Sequence, residues 1–207
     1  GGRQATIAKL DRMLDLPPVF DVGTYGREIH EMTEMAAVDF GQYAHSNQPV
    51  HHVLYLYTAL GEPSKTQYWV RRVLNELYTP GPADGFAGDE DNGEMTAWYV
   101  FSALGLYPLC PGHPTYALGA PLFERATIQP RGGEAFVIEA TGNRGSTPYA
   151  QQIHLDGEPL SRLFVKQEEI TRGGVLAFEM TEEAGQRTYG SADLPFSLSL
   201  QSEGRQI

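Results

Sequence analysis

The chain has 207 residues, 41% of them hydrophobic and 20% charged, a balance that suits a folded protein and excludes disorder. Its net charge of −11 disfavours a nucleic-acid partner, because an acidic surface repels phosphate. A single cysteine, Cys110, rules out an internal disulfide and a cysteine-based metal site. No apolar run reaches the roughly 20 residues that a membrane span needs, and the N-terminal segment does not read as a signal peptide.

The first half reads as helices. Arg3 to Leu16 carries a moderate amphipathic pattern, stopped by Pro17-Pro18. Residues 27–38 give a second helical candidate. Pro49 is placed to open a helix with Val53, Leu56, Tyr57 and Leu60 on one face and Gly61 after it. Ser64 is placed to cap another, striped with Trp69, Val70, Val73, Leu74 and Leu77. Residues 79–93 have loop composition, and a further helix is expected over Glu94–Leu104.

The second half reads as strands. They are centred on Phe136-Val137-Ile138, on Ile153 and Leu155 before an Asp156-Gly157 turn, on Val175 to Met180, and on Phe196, Leu198 and Leu200. The expectation is an α+β chain. Residues 1–111 form helical hairpins too few to close a barrel, and residues 112–207 form a small antiparallel β-sandwich.

Two segments carry candidate chemistry. Gly88-Asp89-Glu90-Asp91-Asn92-Gly93 packs three carboxylates into a glycine-flanked loop before an apolar helix. Their repulsion calls for a helix N-terminus, a bound cation or a shared proton to offset it. In an extended loop Asp89 and Asp91 point one way, where they could hold and deprotonate a water, and Glu90 points the other. The plainer alternative is helix capping by Asp91 and Asn92, with the other side chains solvated. An EF-hand reading fails because Gly93 stands at the fifth position of the loop, not the sixth.

The second segment runs from Gln42 to His52 and holds His45, His51 and His52. Neither the spacing of a helical zinc site nor HExxH is present. Asn47 and Gln48 offer amide oxygens suited to hard cations or sugar hydroxyls. The alternative is a helix start capped by Asn47, with one histidine packed inside.

Read in order, these segments resemble the end of the glycoside hydrolase family 92 α-mannosidases. Gly41-Gln42-Tyr43-Ala44-His45-Ser46-Asn47-Gln48-Pro49-Val50-His51-His52 is similar to the family's GxYxHGNEPSHH stretch. Tyr55-Leu56-Tyr57 and Lys65-Thr66-Gln67 follow. Residues 88–105 resemble GDEDNGxMSAWYVFSALG, and Gly119-Ala120-Pro121-Leu122-Phe123 continues the match.

The resemblance implies an (α/α)6 catalytic barrel beside β-sandwich structure. It implies calcium-dependent, inverting hydrolysis of terminal α-linked mannose, of α-1,2 type in the first instance, from N-glycans or mannans. The full-length protein would be secreted or periplasmic. Asp89 and Asp91 take the place of the water-activating carboxylates, His45, His51 and Glu90 that of sugar contacts, and Asn47 and Gln48 that of metal ligands. Gln48 and Ser46 depart from the family's usual Glu and Gly. The general acid belongs to a preceding segment, so the chain is expected to need an N-terminal part of the same enzyme. A non-catalytic carbohydrate-binding module is the rival reading.

Overall fold

A computed structural model describes residues 2–80 and 85–198. The chain divides into two compact units. One comprises residues 1–53 and 72–98, the other residues 54–71 and 99–207.

In the first unit, α1 (Arg3–Asp15) buries Ile7, Leu10 and Leu14, spaced for one face of a helix. Leu16 is already extended, as the residue before Pro17 must be. The turn at residues 40–42 is fastened to the end of this helix. The N–H of Gln42 donates to the carbonyl of Met13 at 2.9 Å. Gly41 has φ +61, and a Cβ there would lie 2.4 Å from the carbonyl oxygen of Leu14. Only glycine fits this approach. Helix α2 (His30–Ala36) is shorter than the expected 27–38.

The single helix expected after Pro49 is broken. It appears as 3-10 turns over Gln48–Val50 and Val53–Tyr55, followed by α3 (Leu56–Ala59). The Asn47 side chain makes no cap. Helix α4 (Pro63–Glu76) begins at Pro63 rather than after a Ser64 cap, because proline suits a first turn whose N–H has no intrahelical partner. Helix α5 (Glu94–Ala103) matches its expectation to one residue.

The second unit holds two sheets. β1 (Leu106–Tyr107), β2 (Thr115–Leu118) and β7 (Phe164–Lys166) form an antiparallel three-stranded sheet. The other sheet runs β3-β4-β8-β5-β6, with β3 (Arg125–Ile128), β4 (Phe136–Thr141), β5 (Tyr149–Leu155), β6 (Glu158–Pro159) and β8 (Gly174–Thr181). It is not wholly antiparallel, because β4 and β8 pair in parallel. Parallel neighbours need a long crossover, and the chain between them runs through β5 to β7 and helix α6 (Gln167–Arg172). Alternate residues of the central strands face inward: Phe136, Ile138 and Ala140 of β4, and Leu176, Phe178 and Met180 of β8. One apolar cluster unites them with Leu106, Leu118 and Val165 of the smaller sheet.

The Asp156-Gly157 turn joins β5 to β6 with φ of +53 and +84, as a tight hairpin requires. Residues 194–198 form no strand, and Leu200 of the expected last strand lies outside the described residues. Among the described residues, no helix is long and apolar enough to cross a membrane.

Candidate active site

All the candidate residues lie in the first unit. The turn bearing them starts from the anchored Gly41 and brings two histidines inside. His45 and His51 are each 1% exposed, their rings stacked at 4.6 Å, while His52 is exposed. The indole N–H of Trp98, on α5, donates to the His51 carbonyl at 3.1 Å, and its ring meets that of His45 edge-on at 4.3 Å.

A carbonyl partner fixes the His51 tautomer, whereas His45 lies between two hydroxyls. Its Nε2 is hydrogen-bonded to the Tyr78 hydroxyl at 2.8 Å, which also lies 3.2 Å from the Met95 carbonyl. Nδ1 of His45 is hydrogen-bonded to the Tyr43 hydroxyl at 3.0 Å. His51 donates Nε2–H to the His45 carbonyl at 2.9 Å. Its Nδ1 carries the lone pair, is buried, and has no hydrogen-bond partner among the described residues. Oε1 of the exposed Glu94 lies 3.9 Å away. Burial holds His45 well below the ordinary histidine range, with His51 adding to the effect. Burial also lowers His51.

The acidic loop is not extended. Asp91 and Asn92 have φ of +54 and +58, and Gly93 has +98. Asp and Asn tolerate this left-handed region better than other side chains do, and such runs cluster at functional sites. The turn sends Glu90 back onto the start of α5. One of its carboxylate oxygens accepts the N–H of Gly93, and the other accepts that of Thr96 at 3.1 Å. Thr96 and Gly93 together lower its pKa. Glu90 therefore takes the capping role that the plainer reading gave to Asp91 and Asn92. Asp89 and Asp91 stay exposed.

The two segments meet at Gly88 and Asp89. The Gln48 side chain donates Nε2–H to the Asp89 carbonyl at 2.9 Å. Gly88 has φ +110, and a Cβ there would lie 2.6 Å from the Ser46 Cβ and 2.9 Å from a Glu34 oxygen. The other Glu34 oxygen pairs with the exposed His30 at 3.3 Å, an interaction that raises the pKa of His30. Motif reading gave no role to Glu34, Tyr78 and Glu94, which the structure places against these residues. The only available signal was their position within or beside the matched segments. Asn47 sits half-buried beside Gln48. Among the described residues, no three His, Cys, Asp or Glu side chains converge as a metal site.

Residues 1–182 match the Glycosyl hydrolase family 92 catalytic domain. The chain belongs to this family.

Solved family 92 structures share its fold. A family GH92 inverting mannosidase from Bacteroides thetaiotaomicron is 46% identical with a TM-score of 0.80, over 96% of this chain and 27% of its own. A family GH92 α-mannosidase from the same organism, in complex with mannoimidazole, is 27% identical with a TM-score of 0.83, over 95% and 25%. A secreted glycosidase of Arthroderma benhamiae is 26% identical over 159 residues, which is 73% of this chain and 20% of that protein. The chain thus spans about a fifth to a quarter of the length of these family 92 relatives.

Proposed function

We propose that this chain supplies the water-activating half of an inverting exo-α-mannosidase. The observation that carries the reading is the loop itself. Glu90 is committed to the α5 backbone while Asp89 and Asp91 remain exposed, Asp91 within a turn of left-handed residues. Asp91 acts as general base, taking a proton from the water that attacks the anomeric carbon opposite the leaving oxygen, and Asp89 helps orient that water. The general acid comes from a preceding segment of the same enzyme, across the roughly 6.5–9.5 Å that inversion requires between carboxyl groups. Seated in this way, the histidines shape the wall of the sugar site, and Glu90 sets the loop that faces the sugar.

Asn47 and Gln48 would hold calcium. Their amide oxygens are hard donors of the kind that ion takes, and Gln48 keeps its Oε1 for it when Nε2 is engaged with Asp89. Bound there, the ion would supply positive charge to sugar hydroxyls. The substrates are glycans ending in mannose, α-1,2-linked mannose being the first to test. The helices belong to an (α/α)6 barrel, and the enzyme works outside the cytoplasm, in keeping with the secreted glycosidase among its relatives.

The test is Asp91→Asn in the chain completed with its N-terminal part. Loss of about 10²–10⁴-fold in α-mannoside cleavage is expected, and retention near the parent rate sinks the assignment. Gln48, at a position where the family usually has Glu, favours a second reading, a carbohydrate-binding module. It predicts that the completed chain binds mannose, with and without calcium, and never turns it over.

A further inference from the structure

Gln48 projects from a turn that is fixed on several sides. Its own carbonyl accepts the His51 N–H at 3.1 Å, and the Asn47 carbonyl accepts the Val50 N–H at 3.0 Å. His51 is in turn held through both main chain and ring, by Trp98 and by the His45 carbonyl. A side chain on this platform has little freedom to follow a moving loop.

Asp89 stands at the opposite extreme. Its side chain is exposed, and it lies outside any helix or strand. On one side Gly88 is pressed against Ser46 at φ +110, and on the other Glu90 is bound into α5. The Asp89 carbonyl lies between these anchors, and it is the atom Gln48 holds. A peptide carbonyl held in this way cannot rotate, and the plane of that peptide governs how the Asp89 side chain leaves the loop.

The chemistry of position 48 follows. A carbonyl oxygen accepts hydrogen bonds and never donates, so only the NH2 end of an amide can face it. A carboxylate at 48 would set two acceptors against each other at the same separation.

We propose that Gln48 is a positioning residue for Asp89, its side-chain amide fixing the main chain from which that carboxylate projects. The inference gives Gln48 a task distinct from binding a cation. Its importance to catalysis rests on the reading of Asp89 as part of the water-activating pair, but its test does not pass through catalysis.

The experiment uses this chain, labelled with ¹⁵N and ¹³C. The wild type should show a scalar coupling across the hydrogen bond, from Gln48 Nε2 to the Asp89 carbonyl carbon. Gln48→Glu and Gln48→Met both remove the donor at nearly constant volume. In both, amide hydrogen exchange at residues 88–93 should quicken about five- to tenfold, the scale of one net hydrogen bond, while exchange in α1 and the Tm stay close to wild type. Absence of the coupling overturns the proposal. So does unchanged loop exchange in the variants, loosening in Gln48→Glu alone, or loosening spread evenly through the chain. The coupling and the localised loosening can appear even if Asp91→Asn remains active, so failure of the catalytic reading is separable from failure of this one.

Discussion

Glu90 is bonded to the amide of Thr96, six residues ahead, at 3.1 Å, and to that of Gly93. The middle carboxylate of the acidic triplet is therefore a structural cap, and the two flanking ones are left to solvent. Glu90→Ala should lower the Tm and loosen residues 91–96 in hydrogen exchange, whereas Glu90→Gln, which still offers one acceptor oxygen, should lower it less. Equal losses in the two variants would show that the backbone does not depend on these bonds.

The same bonds set a pH dependence. Hydrogen bonding lowers the Glu90 pKa in the folded chain relative to its ordinary value. The sign is that of a depressed carboxylate. Its contribution is present above the ordinary glutamate range and is lost as pH falls through the lowered folded value. Wild type and Glu90→Ala should therefore differ in Tm at pH 6, and the difference should narrow as the pH falls below the ordinary glutamate range, as read by thermal melts. A gap that does not narrow in acid contradicts the cap.

His45 responds to acid with the same sign, from burial rather than from hydrogen bonding. Its folded pKa lies well below the ordinary value of about 6.5 because burial penalises the imidazolium. Its contribution is present above that ordinary value. It is lost progressively as pH falls below about 6.5 toward the depressed folded value, because the unfolded chain takes up the proton first. Melts should show stability falling across this window. Tyr78→Phe leaves Nε2 of His45 and the Met95 carbonyl without this partner. A loss of about 1–3 kcal/mol is expected at pH 8, measured by urea unfolding.

The two candidate segments were legible in the sequence, because carboxylates, histidines and amides crowd into short stretches of chain. How the fold holds their side chains was not. Alternation along an extended loop sent Glu90 away from Asp89 and Asp91, but three consecutive positive φ values end that alternation and swing Glu90 onto α5. The broken helix after Pro49 was hidden for a similar reason. Val53, Leu56, Tyr57 and Leu60 keep helical spacing even where hydrogen bonding has tightened into 3-10 turns. The central strands were found from their apolar runs, but the parallel pairing of β4 with β8 is a matter of chain path, which no local pattern records.

In the second unit, Arg71 is a buried cation whose Nη2 donates to the Pro121 carbonyl at 2.6 Å and to Oδ1 of Asn143 at 3.0 Å. Asn143 returns its NH2 to the carbonyls of Pro121 and Leu122. Burial lowers the Arg71 pKa, although a guanidinium stays charged at any ordinary pH. Asn143→Leu removes one acceptor from a buried charge and two donors from buried carbonyls. It should cost about 2–4 kcal/mol in urea unfolding. Arg71→Met with Asn143→Leu should cost less than the two single changes added, because the second change no longer strands a charge. Additive losses would mean that the two side chains stabilise the unit independently.

Gly88→Ala tests the contact between the two motifs. The new methyl would have to adopt φ +110 and would meet the Ser46 Cβ at 2.6 Å. The backbone strain and the clash should together cost about 1–3 kcal/mol. Ser46→Gly in the same chain removes the shortest contact but leaves the strain and the Glu34 oxygen at 2.9 Å, so it should recover part of the loss and no more. Urea unfolding of the four chains in this cycle gives the coupling directly. Zero coupling would place Ser46 and Gly88 out of contact.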